Sequence, residues 1–139
     1  MITFEISEQL LIRTVLPSDW EDLLRIGADR SGLRLPQSEA DLLLVIEQEN
    51  QLVGLLWLRE VESAFEIQQI EIVEAYHGQG LGSLLLAMGK QVASQQGKSL
   101  ILTSPERLLS FFALNDFEDI DESSDGYVMI WSASRDKKE

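Results

Sequence analysis

The chain has 139 residues, 45% of them apolar, and a formal net charge of −13. This length predicts one domain with a substantial core, assigned to residues 1–133, and a polar C-terminal tail at 134–139. With no cysteine and one histidine, disulfides, thiolate–zinc sites and a cysteine nucleophile are excluded, and no metal site is expected. The acidic charge disfavours nucleic acid and anionic membrane as partners, because both require neutralising cations, and it favours a cationic partner such as an amine.

The first half of the chain is predicted to form antiparallel strands with one inserted helix. The predicted elements are a strand at 2–6, a strand at 10–15, a helix that starts at Pro17-Ser18-Asp19, a loop or short helical turn at 27–38, and strands at 42–48, 52–58 and 65–73. The helix carries an apolar stripe of Trp20, Leu23, Leu24 and Ile26.

The second half is predicted to contain two helices, a buried strand and a closing hairpin. The elements are a helix at 80–96 that ends at Gly97, a strand at 99–103, a helix capped by Ser104 with Pro105 in first position and a core face of Leu108, Leu109, Phe111, Phe112 and Leu114, and a hairpin at 117–120 and 127–131. This order predicts an α+β (mixed α/β) domain with helices on both faces of a central sheet. No N-terminal leader and no apolar run of about 18 residues is visible, so a soluble, cytoplasmic protein is expected.

A glycine-rich loop, His77-Gly78-Gln79-Gly80-Leu81-Gly82-Ser83, joins the strand at 65–73 to the helix at 80–96. Glycines allow a tight turn and a close approach of the backbone to a ligand. The first N–H groups of the helix lack partners within the helix, and the helix dipole adds positive charge at that end. The sequence therefore predicts a phosphate-binding loop.

These residues resemble the GCN5-related N-acetyltransferases, the GNAT family. The family motif is Gln or Arg, two residues, Gly, one residue, then Gly or Ala, and here His77 replaces the first residue. The element order and the closing helix and hairpin, with Phe112 and Phe117, match as well. The absence of a following Gly-Lys-Ser/Thr and the position of the loop behind an antiparallel meander disfavour P-loop and dinucleotide-binding proteins. The resemblance implies a central mixed sheet of about six to seven strands with splayed middle strands.

The resemblance also implies acetyl-CoA as co-substrate, with direct transfer of the acetyl group to a small amine or amino-acid acceptor in a ternary complex. The loop would hold the pyrophosphate, and the preceding strand would pair with the pantetheine arm and place an N–H near Ile72 at the thioester carbonyl. Arg107 is either a phosphate contact or a plain surface residue. The coenzyme-binding residues that follow from this are Ile70, Glu71, Ile72, His77, Gly78, Gln79, Gly80, Leu81, Gly82, Ser83 and Arg107.

Two carboxylates, Glu66 and Glu71, are the candidates for the base that deprotonates the acceptor amine. Five positions apart in a regular strand, they face opposite sides, although a bulge would alter that. The alternative for each is a solvated strand-face carboxylate. Phe112 stands where the family often has a tyrosine that acts as the acid, and phenylalanine cannot donate a proton. A coenzyme A-binding regulatory module with little or no activity is therefore the alternative function, and a homodimer is a further expectation from the family.

The acceptor is the least defined expectation. The segment Leu102-Thr103-Ser104, followed by Phe111 and Phe112, is loosely similar to the N-acetylglutamate synthase-like branch of the family. That similarity would suggest an amino-acid acceptor, whereas the acidic charge of the chain disfavours glutamate.

Overall fold

One mixed sheet organises the chain in a computed structural model that describes residues 2–35 and 37–133. Its strands are β1 (Thr3–Glu5), β2 (Leu10–Thr14), β3 (Asp41–Gln48), β4 (Gln51–Glu60), β5 (Ala64–Ile72), β6 (Ser99–Ser104), β7 (Glu118–Ser123) and β8 (Gly126–Trp131). The helices are α1 (Trp20–Ile26), α2 (Leu81–Gln95) and α3 (Leu109–Leu114), with 3₁₀ turns at Pro17–Asp19, Ala28–Ser31, Glu74–Tyr76 and Glu106–Leu108.

The strands lie in the order β1-β2-β3-β4-β5-β6-β8-β7. The pairs from β1 to β5 are antiparallel, β5 and β6 are parallel, and β8 returns antiparallel between β6 and β7. The predicted mixed fold class is confirmed. The eight strands of the described residues exceed the expected six to seven, and β1, three residues long, pairs along the edge of the sheet with β2.

Two apolar layers cover the two faces of this sheet. Leu43, Val45, Leu55 and Trp57 pack against Leu23 and Ile26 of α1. The alternate strand residues, including Leu44, Ile46, Leu56 and Leu58, pack against the side chains of α2 and Phe112 of α3. Because successive side chains of a strand point to opposite faces, strands buried on both faces read as the continuous apolar runs seen at 42–46 and 52–58.

Three local predictions are wrong. Ser104 does not cap a helix, because it is the last residue of β6, is fully buried and pairs with Tyr127. Its hydroxyl donates to the carbonyl oxygen of Pro105 (2.8 Å), and the following 3₁₀ turn begins at Glu106. Leu24 and Leu114 were assigned to core faces but are 40% and 85% exposed. Leu114 ends a helix of only six residues, so little of that helix can face the core.

The middle strands diverge at one defined point. The parallel pairing of β5 with β6 covers Ala64–Ser99, Phe65–Leu100 and Glu66–Ile101, while β6 continues along β8 as far as Ser104. On the other edge of β5, Trp57 pairs with Gln69 and Leu58 pairs with Ile67, so Gln68 is an extra residue. Such a bulge bends its strand. The predicted splay between middle strands is present, and it opens just after Glu66.

Candidate active site

A cavity of about 550 Å³ lies where β5 ends and α2 begins. Ten of the eleven predicted coenzyme residues line it, namely Ile70, Glu71, Ile72, His77, Gly78, Gly80, Leu81, Gly82, Ser83 and Arg107. Gln79 does not line the cavity. Tyr76, Leu108 and Phe111 also line it, although sequence reasoning had not assigned them to the coenzyme site. Tyr76 directly precedes the glycine loop, a proximity that could have revealed it.

The glycine loop leaves the cavity open at the backbone. Gly78 and Gly80 both have φ of +80°, and no atom lies within 4 Å of where a Cβ would stand at either position. The left-handed conformation disfavours any residue with a Cβ, so glycine is required by the turn. The empty space beside both residues means that a ligand can reach the main chain there.

The N-terminus of α2 faces the same cavity without a cap. Gly80 is its N-cap residue, no side chain caps the helix, and the first turn holds no acidic residue. The N–H groups of Leu81, Gly82 and Ser83 precede the first intrahelical bond, from the Leu84 N–H to the Gly80 carbonyl oxygen at 3.0 Å. Free N–H groups and the dipole of a 15-residue helix together favour an anion at this end.

His77 links the loop to the end of β5. Its Nε2 lies 2.7 Å from the carbonyl oxygen of Ile72. A carbonyl oxygen only accepts, so Nε2 carries the hydrogen of this bond. Histidine therefore has a local structural role at the first motif position, and the main-chain groups of the loop remain available to a ligand.

Arg107 is the one arginine or lysine that lines the cavity within the described residues. It lies in the 3₁₀ turn Glu106–Leu108, and its side chain is exposed. A guanidinium offers paired N–H donors of the kind that suit a phosphate group.

The two phenylalanines of α3 have different surroundings, since Phe111 lines the cavity and Phe112 lies in the core. Phe112 is 2% exposed and packs edge to face against Phe111 (5.1 Å) and Phe117 (5.6 Å between ring centroids). Phe111 lines the cavity, and its Cζ lies 3.2 Å from where a Cβ of Gly82 would stand. Gly82 is therefore needed for this close helix contact, and neither ring supplies a proton donor.

Glu66 and Glu71 face the same side of the sheet, contrary to the expectation for a regular strand. Glu66 pairs with Arg59 and Glu71 with Leu55, which are four residues apart on β4 and therefore share a face. The bulge at Gln68 causes this change. The shared face is the one that α1 covers, since Leu55 belongs to that layer, whereas Ile70 and Ile72 pack toward α2.

Among residues 2–35 and 37–133, each carboxylate has one side-chain partner. Glu66 Oε1 accepts a hydrogen bond from Gln68 Nε2 at 3.1 Å. Glu71 Oε1 forms an ion pair with Arg30 Nη1 at 3.2 Å. Glu66 does not line the coenzyme-side cavity, so the two candidate bases stand at opposite ends of the splayed part of β5.

The sequence of the chain matches the model of one protein family over most of its length. Residues 25–128 match the family model described as an acetyltransferase (GNAT) domain. The chain belongs to the GNAT acetyltransferase family. This membership confirms the family and the enzyme class, N-acetyltransferase, that the glycine motif and element order predicted. No curated protein matches the chain significantly in sequence.

Solved structures with the same fold differ in their acceptors. A spermidine N-acetyltransferase from Vibrio cholerae, described as dodecameric, superposes with a TM-score of 0.78 at 15% identity, over 94% of this chain and 98% of that one. A PaiA N-acetyltransferase from Thermoplasma acidophilum in complex with coenzyme A gives 0.75 at 16% identity, over 88% and 98%. An N-acetylglutamate synthase from Neisseria gonorrhoeae complexed with coenzyme A and L-arginine gives 0.75 at 16%, over 91% and 34%. The shared fold therefore does not identify the acceptor.

Two kinds of feature are not found in the part of the chain that the structure describes. No set of three or more histidine, cysteine, aspartate or glutamate side chains is placed to hold a metal ion. None of the helices combines the length and the apolar character needed to cross a membrane.

Proposed function

We propose that this chain transfers an acetyl group from acetyl-CoA to a primary amine of a small amine or amino-acid acceptor. The observation that carries the proposal is the cavity at the splay, where the uncapped N-terminus of α2 meets the unpaired edge of β5. Family membership and the coenzyme A complexes among the structural relatives support the same donor.

In this proposal, the coenzyme enters from the face that α2 and α3 cover. The N–H groups of Gly80 to Ser83 bind the pyrophosphate, and Arg107 meets a phosphate oxygen. The pantetheine arm lies along Ile70, Glu71 and Ile72, where β5 lacks a neighbour on the β6 side and can accept an added strand. The thioester then lies along the open edge of β5, between Ile72 and the point of divergence at Glu66.

The acceptor approaches from the opposite face, which α1 covers. Its neutral amine attacks the thioester carbonyl carbon, a C–N bond forms as the C–S bond breaks, and the coenzyme leaves as a thiolate that takes a proton from water. Glu66, at the last pair before the splay, is proposed as the base that takes the amine proton directly or through water. Glu71 remains the second candidate, although Arg30 engages its carboxylate.

The class of acceptor is inferred from the net charge of the chain and from the acceptors of its structural relatives. A net charge of −13 attracts cations. Structural relatives include a spermidine acetyltransferase and an N-acetylglutamate synthase. Both acceptor types present an amine, and the acidic charge of this chain favours the purely cationic type.

Release of free thiol from acetyl-CoA in the presence of a panel of amines and amino acids tests the proposed function. We expect release above background with at least one acceptor. One alternative is a coenzyme A-binding module without activity. It is favoured because α3 contains no tyrosine and Phe112, at the position of the usual acid, is buried. Tight acetyl-CoA binding with no release across the panel would support that alternative and overturn the transferase.

The base is tested by comparing Glu66→Gln and Glu71→Gln. Loss of a general base lowers kcat by about a hundredfold or more. We expect that loss for Glu66→Gln, with acetyl-CoA binding retained, since Glu66 lies outside the cavity. Full activity and an unchanged rate–pH profile in Glu66→Gln would remove it from the mechanism, and the same result in Glu71→Gln would remove Glu71.

A further inference from the structure

The guanidinium of Arg30 lies between Glu71 and the backbone of α1, on the face of the sheet that α1 covers. The space that it fills is called the cation slot below. Arg30 Nη1 lies 3.2 Å from Glu71 Oε1, and its Nη2 donates to the carbonyl oxygen of Ile26 at 3.4 Å. A Cβ on Gly27 would stand 2.2 Å from Arg30 Nη2, so the glycine leaves the room that the guanidinium fills. The slot consists of one carboxylate, one carbonyl oxygen and a residue without a side chain.

The cation in this slot is weakly held. The Arg30 side chain is 67% exposed and that of Glu71 is 30% exposed. Ion pairs between exposed side chains contribute little, because water screens them and the long side chain loses freedom on pairing. Another cation can therefore replace Arg30 at small cost, leaving the guanidinium in solvent.

One further oxygen acceptor, the side-chain amide of Gln69, lies between the slot and the proposed base, Glu66. Gln69 lies on the same face, between Glu66 and Glu71, and is 8% exposed. Its Nε2 donates to the carbonyl oxygen of Gly27 (3.0 Å), and its Oε1 has no hydrogen-bond partner within the described residues. A buried acceptor without a partner is destabilising, so the site is short of a donor.

The separation of the two carboxylates sets the length of a matching ligand. Their partners on β4, Arg59 and Leu55, are four residues apart, which corresponds to roughly 13 Å along the sheet. Two cations of one acceptor must be joined by an extended chain of several atoms to meet both carboxylates.

We propose that the acceptor is an extended di- or polyamine whose distal ammonium displaces Arg30 from the slot of Glu71 and the Ile26 carbonyl. This inference rests on the proposed transferase function and specifies its acceptor. The reacting amine lies beside Glu66, and the distal ammonium offers three donors to the carboxylate of Glu71 and the carbonyl oxygen of Ile26. An amino acid would instead place its carboxylate beside Glu66 and Glu71, where it would have to pair with Arg30 or Arg59.

A series of acceptors that differ only in their second charge tests the inference. Wild type, Glu71→Gln and Arg30→Gln are assayed by thiol release with α,ω-diamines of increasing length, the monoamines of matching length, and amino acids. We expect wild type to prefer the longer diamines, and Glu71→Gln to reduce the ratio of diamine to monoamine kcat/KM about tenfold. Arg30→Gln should lower the KM for diamines, because a competing cation is removed.

Two charge-matched variants are the controls. Arg25→Gln removes an exposed cation of α1 that pairs with Asp22, and Glu62→Gln removes an exposed acid of the turn between β4 and β5. Neither should change the diamine preference, which separates the slot from the overall charge of the protein.

Four results would overturn the inference. An equal loss for diamines and monoamines in Glu71→Gln would make Glu71 a base or a structural residue. A preference for amino acids that is lost in Arg30→Gln would assign the slot to carboxylate recognition. No release with any amine would overturn the transferase as well, whereas release that ignores the second ammonium overturns this inference alone.

Discussion

Two arginines, Arg13 and Arg30, pair with carboxylates of the sheet or of the turns beside it, but they differ in burial and in their partners. Arg13 lies 2.8 Å from Asp19 and 2.6 Å from Glu47, and its side chain is 13% exposed. Arg30 makes one ion pair at 3.2 Å and is 67% exposed. The first arginine thus pairs with two carboxylates beside the antiparallel strands, whereas the second pairs with Glu71 near the end of β5 and stays largely exposed.

The pKa of Asp19 shows that the Arg13 site stabilises a charged carboxylate. Burial acts to raise the pKa of Asp19, but hydrogen bonds from Arg13 and from the N–H of Leu16 outweigh it, so the pKa lies below the ordinary value. The carboxylate thereby also holds the start of the 3₁₀ turn that leads into α1.

The difference shows where this fold can hold ligands. In the antiparallel half, β2, β3 and β4 are each paired along both edges, and Arg13 pairs with two carboxylates, although Gln48 Oε1 is buried without a partner among the described residues. At the splay, one edge of β5, the first N–H groups of α2 and one amide oxygen of Gln69 lack partners within the described residues. Groups without partners carry a free-energy cost in the empty protein that a ligand can remove.

The largest effect is expected from a charge placed in the glycine loop. Gly80 and Gly32 have similar φ angles, +80° and +88°, and open space at the Cβ position. Both Gly80→Glu and Gly32→Glu should therefore lose a similar amount of stability. Only Gly80→Glu should abolish the rise in melting temperature that acetyl-CoA causes. An equal acetyl-CoA shift in the two variants would show that the loop is not the phosphate site.

A stability loss of about 2 kcal/mol is expected from Asp19→Asn, because Arg13 and the Leu16 N–H lose a charged acceptor. Since the pKa of Asp19 is lowered by folding, its contribution is present above the ordinary carboxylate pKa and is lost as the pH falls below roughly 4. Denaturant unfolding against pH should show a smaller acid-side decrease in the variant than in wild type.

Part of that acid dependence should remain in Asp19→Asn. Burial acts to raise the pKa of Asp41, but hydrogen bonds from Trp57, Arg59 and Ser38 lower it overall. Acetyl-CoA binding is the control and should be unchanged. An acid limb identical to that of wild type would show that the Arg13 site contributes no pH-dependent stability.

Phe112→Tyr should lower stability by about 1 to 3 kcal/mol without raising activity. The side chain is 2% exposed among apolar neighbours, so the added hydroxyl is buried without an evident partner. Phe111→Tyr is the matched variant at the cavity wall and should unfold closer to wild type. A gain in kcat in Phe112→Tyr would mean that this position reaches the leaving thiolate.

The smallest effect on stability is expected from Arg30→Gln, within about 0.5 kcal/mol of wild type. Denaturant unfolding of Arg30→Gln and of Asp19→Asn compares the free energies of unfolding that the two arginine sites contribute. A loss as large as that of Asp19→Asn would make Arg30 a structural residue like Arg13.

Much of the coenzyme side was visible in the sequence, because its determinants are local. Gly78, Gly80 and Gly82 lie on one turn that leads into a helix, and a helix N-terminus has the same free N–H groups in any fold. Six of the seven loop residues from His77 to Ser83 line one cavity. Whether they bind coenzyme A stays a prediction until the loop variants are measured.

The sequence by itself determined the mixed sheet and the glycine turn, since these follow from short-range pattern and glycine geometry, and its resemblance to known acetyltransferases identified the family. Only the tertiary structure decided which side chains share a face of β5. The bulge at Gln68 brought Glu66 and Glu71 to one side, and pairing through Ser104 removed a predicted helix cap. The contact between Arg30 and Glu71 joins residues 41 positions apart. Register and long-range contacts arise from packing over the whole sheet, so no local pattern encodes them.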